Sequence, residues 1–313
     1  MLDRFIHALR NLDADLLEAF QQKLRVHWTH SSTALEGNTL DEGETFGVLQ
    51  YGLTIAGKPL LHHNEVLGHS RALDLIYSWL LNQQPLSEKA LFELHTAIQT
   101  AVEVDYFKPV GAWKREPNST LAKLSGQTLI NDTYAAPEHV AELMQTWITE
   151  FEQMRKSDDV SALDAYIWSH ATFVRIHPFA DGNGRVARLL ANIPILEKGF
   201  LPVLIPLEKR LAYVESLAAW QMASGGLKPG GSLLGDVQAA STKSKGWSDP
   251  EGYGTASRWQ QEGDFSITIK SWVWATTHVT MLQFVCTLTY LATSAELDPC
   301  PTESAKPSTS RTV

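Results

Sequence analysis

The chain is short of cysteine, of positive charge and of long apolar runs, and each shortage closes off a class of function. Cys286 and Cys300 are its only cysteines. Two thiols can neither build a disulfide framework nor complete a four-ligand zinc site alone. That pattern suits a reducing compartment, and a cytoplasmic location is expected. Lys and Arg total 26 against 35 Asp and Glu, a net charge of −9. An acidic chain lacks the basic surface that phosphate-backbone binding needs, so no nucleic acid partner is expected, although a local basic pocket stays open. No secretory signal is visible: the N-terminus reads as an amphipathic helix with Leu2, Phe5, Ile6 and Leu9 on one face. Ser271 to Ala295 carries no formal charge, yet its Thr, His and Gln residues make it too polar for a membrane span. Buried strands or a core helix are expected there, and no membrane association. What is present, in 313 residues, is 44% hydrophobic and 19% charged, the balance of an ordinary soluble globular protein.

Apolar residues at three- and four-residue spacing predict helices over 2–28, 40–52, 63–82, 87–101, 137–156, 161–175, 184–199 and 207–222. Pro194 removes a backbone donor inside the seventh of these and is expected to kink or end it. The gap from Pro109 to Ala136 holds Gly111, Pro117, Asn118 and Gly126 with two β-capable runs, Thr120–Leu124 and Gln127–Ile130. It reads as a small β-hairpin inserted in a helical body. After about Ser224 the composition shifts: seven of the 35 residues from 226 to 260 are glycine, and Phe265, Ile267 and Ile269 alternate with polar residues as in a strand. Pro299 to Val313 is Ser/Thr/Pro-rich and expected to be disordered. The fold class is therefore mainly α, a helical bundle with a small β-hairpin, plus an irregular or β-leaning C-terminal tail.

Two glycine patterns look like nucleotide loops and fail on their context. Gly52 to Pro59 nearly spells a Walker A loop, but Pro59 stands where a Ser or Thr hydroxyl must ligate the metal. A plain helix-to-helix turn is expected. Gly182-Asn183-Gly184 fits the start of a dinucleotide fingerprint, yet a helical stretch rather than a strand precedes it. His62, His63 and His69 have no supporting Cys or carboxylate spacing and read as a solvated helix face.

The chemistry concentrates in His177-Pro178-Phe179-Ala180-Asp181-Gly182-Asn183-Gly184-Arg185-Val186-Ala187-Arg188. The glycines let backbone approach a ligand closely. The helix that follows aims unpaired N–H groups and its positive dipole end at an anion. Arg185 and Arg188 are three apart, so they share a face and can grip phosphate oxygens together. Asp181 is a hard oxygen ligand suited to Mg2+. His177 supplies a neutral imidazole near neutral pH, able to accept a hydroxyl proton. Phe179 and Val186 are expected to anchor the loop in the core.

These twelve residues match HxFx[DE]GNGRxxR, and the sequence resembles the Fic-domain proteins. The likeness runs from about Val26 to Ala223, and includes Asn64-Glu65-Val66, the Gly57-Lys58 turn and Arg210-x-x-Tyr213. It implies a Fic-type helical bundle and a nucleotidyltransferase that carries out AMPylation: AMP moves from ATP to a hydroxyl of a protein Ser, Thr or Tyr. By that resemblance His177 is the general base and Asp181 holds Mg2+ against the α- and β-phosphates. Gly182, Asn183, Gly184 and Arg185 form the anion hole, and Arg188 positions the γ-phosphate. Gly184 stands where phosphotransferase relatives carry Lys, which favours nucleotidyl over phosphoryl transfer.

A second motif, Ser32-x-x-x-Glu36-Gly37, reads on its own as a helix end closed by glycine. It resembles the family's inhibitory [ST]xxxE[GN] sequence, with Ser32 and Glu36 as its inhibitory residues, which implies autoinhibition: Glu36 pairs with Arg188 and blocks the productive γ-phosphate pose. Some relatives so arranged also remove AMP. The hairpin from Lys114 to Tyr134 sits where the family places a flap that docks the target as an added strand. A protein substrate follows, with self-modification and a homodimer both compatible. His170 is expected to be a packed helix residue rather than a second base. The resulting division is an N-terminal helical region with the inhibitory motif (1–100), the catalytic core (101–225) and a tail of unassigned role (226–313). Two other readings compete: a nucleotide-binding regulatory protein without transfer, and the same enzyme with another phosphodiester donor.

Overall fold

The computed structural model describes residues 13–99, 106–122, 130–224, 227 and 229–233. Among them the chain forms α1 (Ala14–Ala34), α2 (Glu42–Tyr51), α3 (Leu60–Leu81), α4 (Glu88–Ile98), β1 (Ser119–Ala122), β2 (Ile130–Thr133), α5 (Pro137–Lys156), α6 (Ala162–Ile176), α7 (Asn183–Glu197), a 3-10 turn at Leu207–Lys209 and α8 (Arg210–Ser224). Local chemistry marks several starts. Asp13 accepts from the Leu16 N–H at 2.9 Å, Ser87 and Ser161 cap α4 and α6, and Asp41 with Glu44 forms a reciprocal capping box. Pro137 opens α5, where its missing N–H costs nothing.

Helices α6 and α7 lie at the centre. Nearly every residue of α6 from Ala165 onward is buried, as a helix enclosed on all sides must be. Around this pair, Trp147 stacks on Phe151 and Trp168 with ring centroids 5.0 and 5.9 Å apart, and its indole N–H donates to Thr172 Oγ1 at 2.9 Å. Burial of an aromatic of this kind contributes about 1.5–3 kcal/mol, and its polar atom is satisfied rather than stranded. One apolar core runs from Phe20 to Leu233, on both sides of residue 100. Phe179 and Val186 are fully buried in it, as expected. Gly68 on α3 sits so close to the end of α4 that a Cβ there would lie 2.7 Å from the carbonyl oxygens of Ala97 and Ile98.

The helix expected at 137–156 occupies those residues, and a hairpin forms within the expected span, with Ser119 opposite Thr133 and Ala122 opposite Ile130. Its second strand starts where the expected Gln127–Ile130 run ends, and residues 123–129 lie outside the described residues. Three expectations need correction. Helix α1 continues past residue 28 to Ala34, because Thr29, Ser31, Ser32 and Thr33 are buried against the rest of the fold. Pro194 does not end α7, which runs on to Glu197. His62, His63 and His69 are not a solvated face. His63 and His69 are buried, and His63 accepts from the Ile55 N–H at 2.8 Å to fix the 52–59 turn. That segment is the plain turn between α2 and α3, with Lys58 tied to Glu44 at 2.9 Å. Among the described residues no helix is long and apolar enough to cross a membrane, and no three His, Cys, Asp or Glu side chains gather as a metal cluster. Residues 2–12, the Ser271–Ala295 stretch, both cysteines, the strand-like 265–269 segment and the Pro299–Val313 tail lie outside the described residues.

Candidate active site

The twelve-residue motif bridges α6 and α7. His177 terminates α6 in the left-handed region (φ 55°, ψ 59°), a conformation a non-glycine residue holds only when its surroundings impose it. Its Nδ1 lies 3.1 Å from the Val174 carbonyl oxygen. A carbonyl only accepts, so Nδ1 carries the proton and Nε2 keeps its lone pair. Burial drops the imidazole pKa from 6.5 to about 4, with the Lys114 charge adding and the Val174 carbonyl, Glu36 and Asp181 opposing. The ring is thus a neutral base at pH 7, with Nε2 as its working atom.

Gly182, at φ 78°, begins α7, and no side chain caps the helix there. The N–H groups of Asn183, Gly184 and Arg185 precede the first helical bond, from Val186 N to Gly182 O at 3.0 Å, and can receive an anion. Arg185 strengthens this cradle. It is buried, stands 3.5 Å from Glu65 and 3.7 Å from Asp181, and its Nε and Nη1 make no hydrogen bond among the described residues. The Asn183 side chain does something different from the expected cradling. Its Oδ1 accepts from the Phe179 N–H at 2.9 Å and its Nδ2 donates to the Phe179 carbonyl at 2.8 Å. Asn183 braces the loop, and only its backbone N–H remains for a phosphate.

Asp181 is exposed. Partial burial works against ionisation, but Arg185, the Gly182 N–H and the Gln99 side chain outweigh it and hold the carboxyl below its ordinary 3.8. His95 supports the same loop from behind. Its Nδ1 accepts from the Gly111 N–H at 2.9 Å, so Nε2 bears the proton and donates to the Asp181 carbonyl at 3.0 Å. The His95 ring also stacks on Phe179 with centroids 3.9 Å apart.

The end of α1 closes the other side. Arg188, buried, donates from Nη2 to Glu36 Oε1 at 2.7 Å and to the Ser32 carbonyl at 2.8 Å, and from Nε to Ser32 Oγ at 3.1 Å. Burial would disfavour the Glu36 charge, yet Arg188 and then Arg185 keep its pKa below 4.5. The Glu36 carboxylate reaches the start of α7, where a Cβ on Gly184 would collide with its Oε1. Arg210 donates to the Leu35 carbonyl at 2.7 Å, Ser31 to the Ile205 carbonyl at 2.6 Å, and Tyr213 meets His170 Nε2 at 3.0 Å. His170 is packed inside, as expected.

The chain is similar to known proteins in sequence and in fold. A family model described as the Fic/DOC family matches residues 85–195. A crystal structure of a Fic domain-containing signaling protein from Bacteroides thetaiotaomicron is 30% identical with a TM-score of 0.63, and the likeness covers 72% of this chain and 82% of that one. The chain belongs to the Fic/DOC family. Among curated Fic relatives, the protein adenylyltransferase fic-1 of Caenorhabditis briggsae is 32% identical over 235 residues, 72% of this chain and 43% of its own length. The protein adenylyltransferase Fic of Drosophila erecta is 29% identical over 221 residues, 68% of this chain and 40% of its own. This Fic chain therefore spans less than half the length of those two relatives. A solved fragment of Fic-1 from Caenorhabditis elegans shares the fold, with a TM-score of 0.62 at 21% identity.

The structure brings His177, Asp181, Gly182, Asn183, Gly184, Arg185, Arg188, Ser32 and Glu36 into one place. Sequence reasoning missed their supports. Tyr134 stacks face to face on His177, with centroids 3.8 Å apart and planes 7° from parallel. Lys114 Nζ donates to Asn118 Oδ1 at 2.6 Å, and burial lowers its pKa from 10.5 to about 8. None of Tyr134, Lys114, His95 and Gln99 lies in a motif. The one sequence signal was the placement of Lys114 and Tyr134 at the two roots of the hairpin.

Proposed function

We propose that this Fic chain transfers AMP from ATP to a hydroxyl side chain of a target protein, and that Glu36 restrains it. The observation that carries the reading is a half-buried, neutral imidazole with Nε2 unprotonated, one short loop from an uncapped helix N-terminus flanked by two buried arginines. His177 Nε2 accepts the hydroxyl proton as the oxygen attacks the α-phosphorus. The bond from that phosphorus to the bridging oxygen breaks, pyrophosphate departs with the electron pair, and a phosphodiester joins AMP to the target. The N–H groups of Asn183, Gly184 and Arg185 and the two guanidiniums bind the phosphates and their developing charge.

Asp181 fits a magnesium ion, since an exposed, ionised carboxylate beside a phosphate site is the donor Mg2+ takes singly or in pairs. Bound there, the ion would neutralise phosphate charge. Glu36 opposes ATP twice: it occupies Arg188, and its carboxylate lies over Gly184 where phosphate would approach the backbone. The target docks along the β1–β2 hairpin, whose two strands leave edges for an added strand.

The test is incubation of the Glu36→Gly protein with α-labelled ATP, then GTP, CTP and UTP, in the presence of Mg2+. Label from ATP on the protein or on a lysate band, absent with His177→Ala, is the expected outcome. Label from another nucleotide alone moves the donor, and label from none points to a nucleotide-binding regulator. Equal rates for wild type and Glu36→Gly would sink the restraint by Glu36.

A further inference from the structure

The hairpin is joined to the loop that carries His177 at both of its roots. On the incoming side, the Lys114 N–H donates to the Pro178 carbonyl at 2.9 Å, Lys114 Nζ points to the Ile176 carbonyl at 3.5 Å, and Asn118 Nδ2 donates to the Phe179 carbonyl at 3.1 Å. On the outgoing side, the Tyr134 N–H donates to the Asn118 carbonyl at 3.3 Å, which ties the second root to the first. From there the Tyr134 ring covers the imidazole face.

The imidazole has few other restraints. Among the described residues its ring makes one hydrogen bond, from Nδ1 to the Val174 carbonyl, which fixes one atom and leaves the ring able to swing about that contact. A parallel ring at 3.8 Å removes this freedom, because tilting the imidazole would drive it into the tyrosine. We propose that Tyr134 is a positioning residue for His177: its ring fixes the imidazole plane and keeps Nε2 presented to the incoming hydroxyl, which makes the hairpin root part of the base. This inference rests on the transfer reading for its catalytic consequence but not for its structural one.

The stack also shields the imidazole from water. The groups that act on His177 are Lys114 before the hairpin, Glu36 after α1 and Asp181 in the motif loop, besides the Val174 carbonyl of its own helix. Burial, joined by the Lys114 charge, outweighs the Val174 carbonyl, Glu36 and Asp181 in holding the imidazole neutral. Removing the ring opens that burial while leaving these neighbours in place.

Full-length protein labelled with 15N-histidine, with His177 assigned through His177→Ala, tests this directly. In the Glu36→Gly background, Tyr134 is replaced by Phe and by Leu. With Tyr or Phe, His177 is expected to show one tautomer, Nδ1 protonated, and to titrate well below 6.5. With Leu, it is expected to show mixed tautomers and a titration shifted toward 6.5. Transfer should fall about tenfold in kcat with Leu and stay within about twofold with Phe, at unchanged KM for ATP, since a loosely held base loses part of its contribution. Unchanged His177 signals in Tyr134→Leu overturn the proposal whatever the activity. Phe behaving like Leu overturns the role of the ring in favour of the hydroxyl. If the signals move as expected while no variant transfers label, the positioning stands and the transfer reading fails. If the Leu variant does not fold, the Phe variant still decides between ring and hydroxyl.

Discussion

Arg188 and His177, at opposite ends of the same motif, are held in opposite ways. Arg188 is gripped by charge: two hydrogen bonds to Ser32 and one to Glu36, in a buried setting where such bonds are short and strong. His177 is held by shape, through one hydrogen bond to its own helix and one stacked ring from the hairpin. A charge grip on a buried cation resists loosening, because a guanidinium stripped of its carboxylate stays uncompensated. A stacked ring holds by contact alone: it fixes the plane of the imidazole, and its removal leaves no uncompensated charge. The two ends of the motif thus depend on different parts of the chain, Arg188 on the segment after α1 and His177 on the hairpin root.

The largest test of that contrast is His177→Ala in the Glu36→Gly background. Removing the base should cut AMP transfer by about 100-fold or more while nucleotide binding, measured by calorimetry, persists. Next is Glu36→Gly in the wild-type background. If Arg188 is locked by charge, transfer should rise by about 5- to 150-fold, the span of a typical coupling between sites. Thermal unfolding should show a loss of about 1–3 kcal/mol, the worth of a hydrogen bond to a charged group.

Acid separates the two sides. His69, His95, His170 and His177 all have folded pKa values well below 6.5. As pH falls below 6.5 the unfolded chain takes up protons that the folded one refuses, so stability declines toward pH 4. Glu36 has the depressed carboxylate value, and its contribution is present above 4.5 and disappears only as pH falls below that. Denaturant titrations should therefore show wild type and Glu36→Gln losing stability in parallel from pH 6.5 to 5, and converging below about 4.5. The smallest effect is expected from Arg210→Ala. It removes one donor to the Leu35 carbonyl, costs about 0.5–1.5 kcal/mol, and should raise basal transfer less than Glu36→Gly does.

The sequence made the motif legible because its residues are consecutive: loop, glycines and arginines read directly as a helix N-terminus made for anions. Helix α5 was equally legible, since its apolar periodicity is unbroken and Pro137 marks its start. The end of α1 was not. Thr29-His30-Ser31-Ser32-Thr33 carries no apolar stripe, and these residues stay helical because partners such as the Ile205 carbonyl and Arg188, far along the chain, receive them. The same distance hid Tyr134 and His95, whose partners are set by topology rather than by spacing. Asn183 misled in another way. The resemblance implied a phosphate contact for it, and its backbone N–H stays open to one, whereas its side chain both accepts from and donates to one residue's backbone and so works as a clasp.

Gly68 gives the Asp181 side of this site a remote adjustment. Helix α4, whose last turns carry His95 and Gln99, rests on α3 with no room for even a methyl group between them. A side chain introduced at Gly68 would act as a shim, displacing the support under Asp181 while leaving every motif residue unaltered. The thickness of one residue behind the wall therefore sets where that carboxylate stands in front of it.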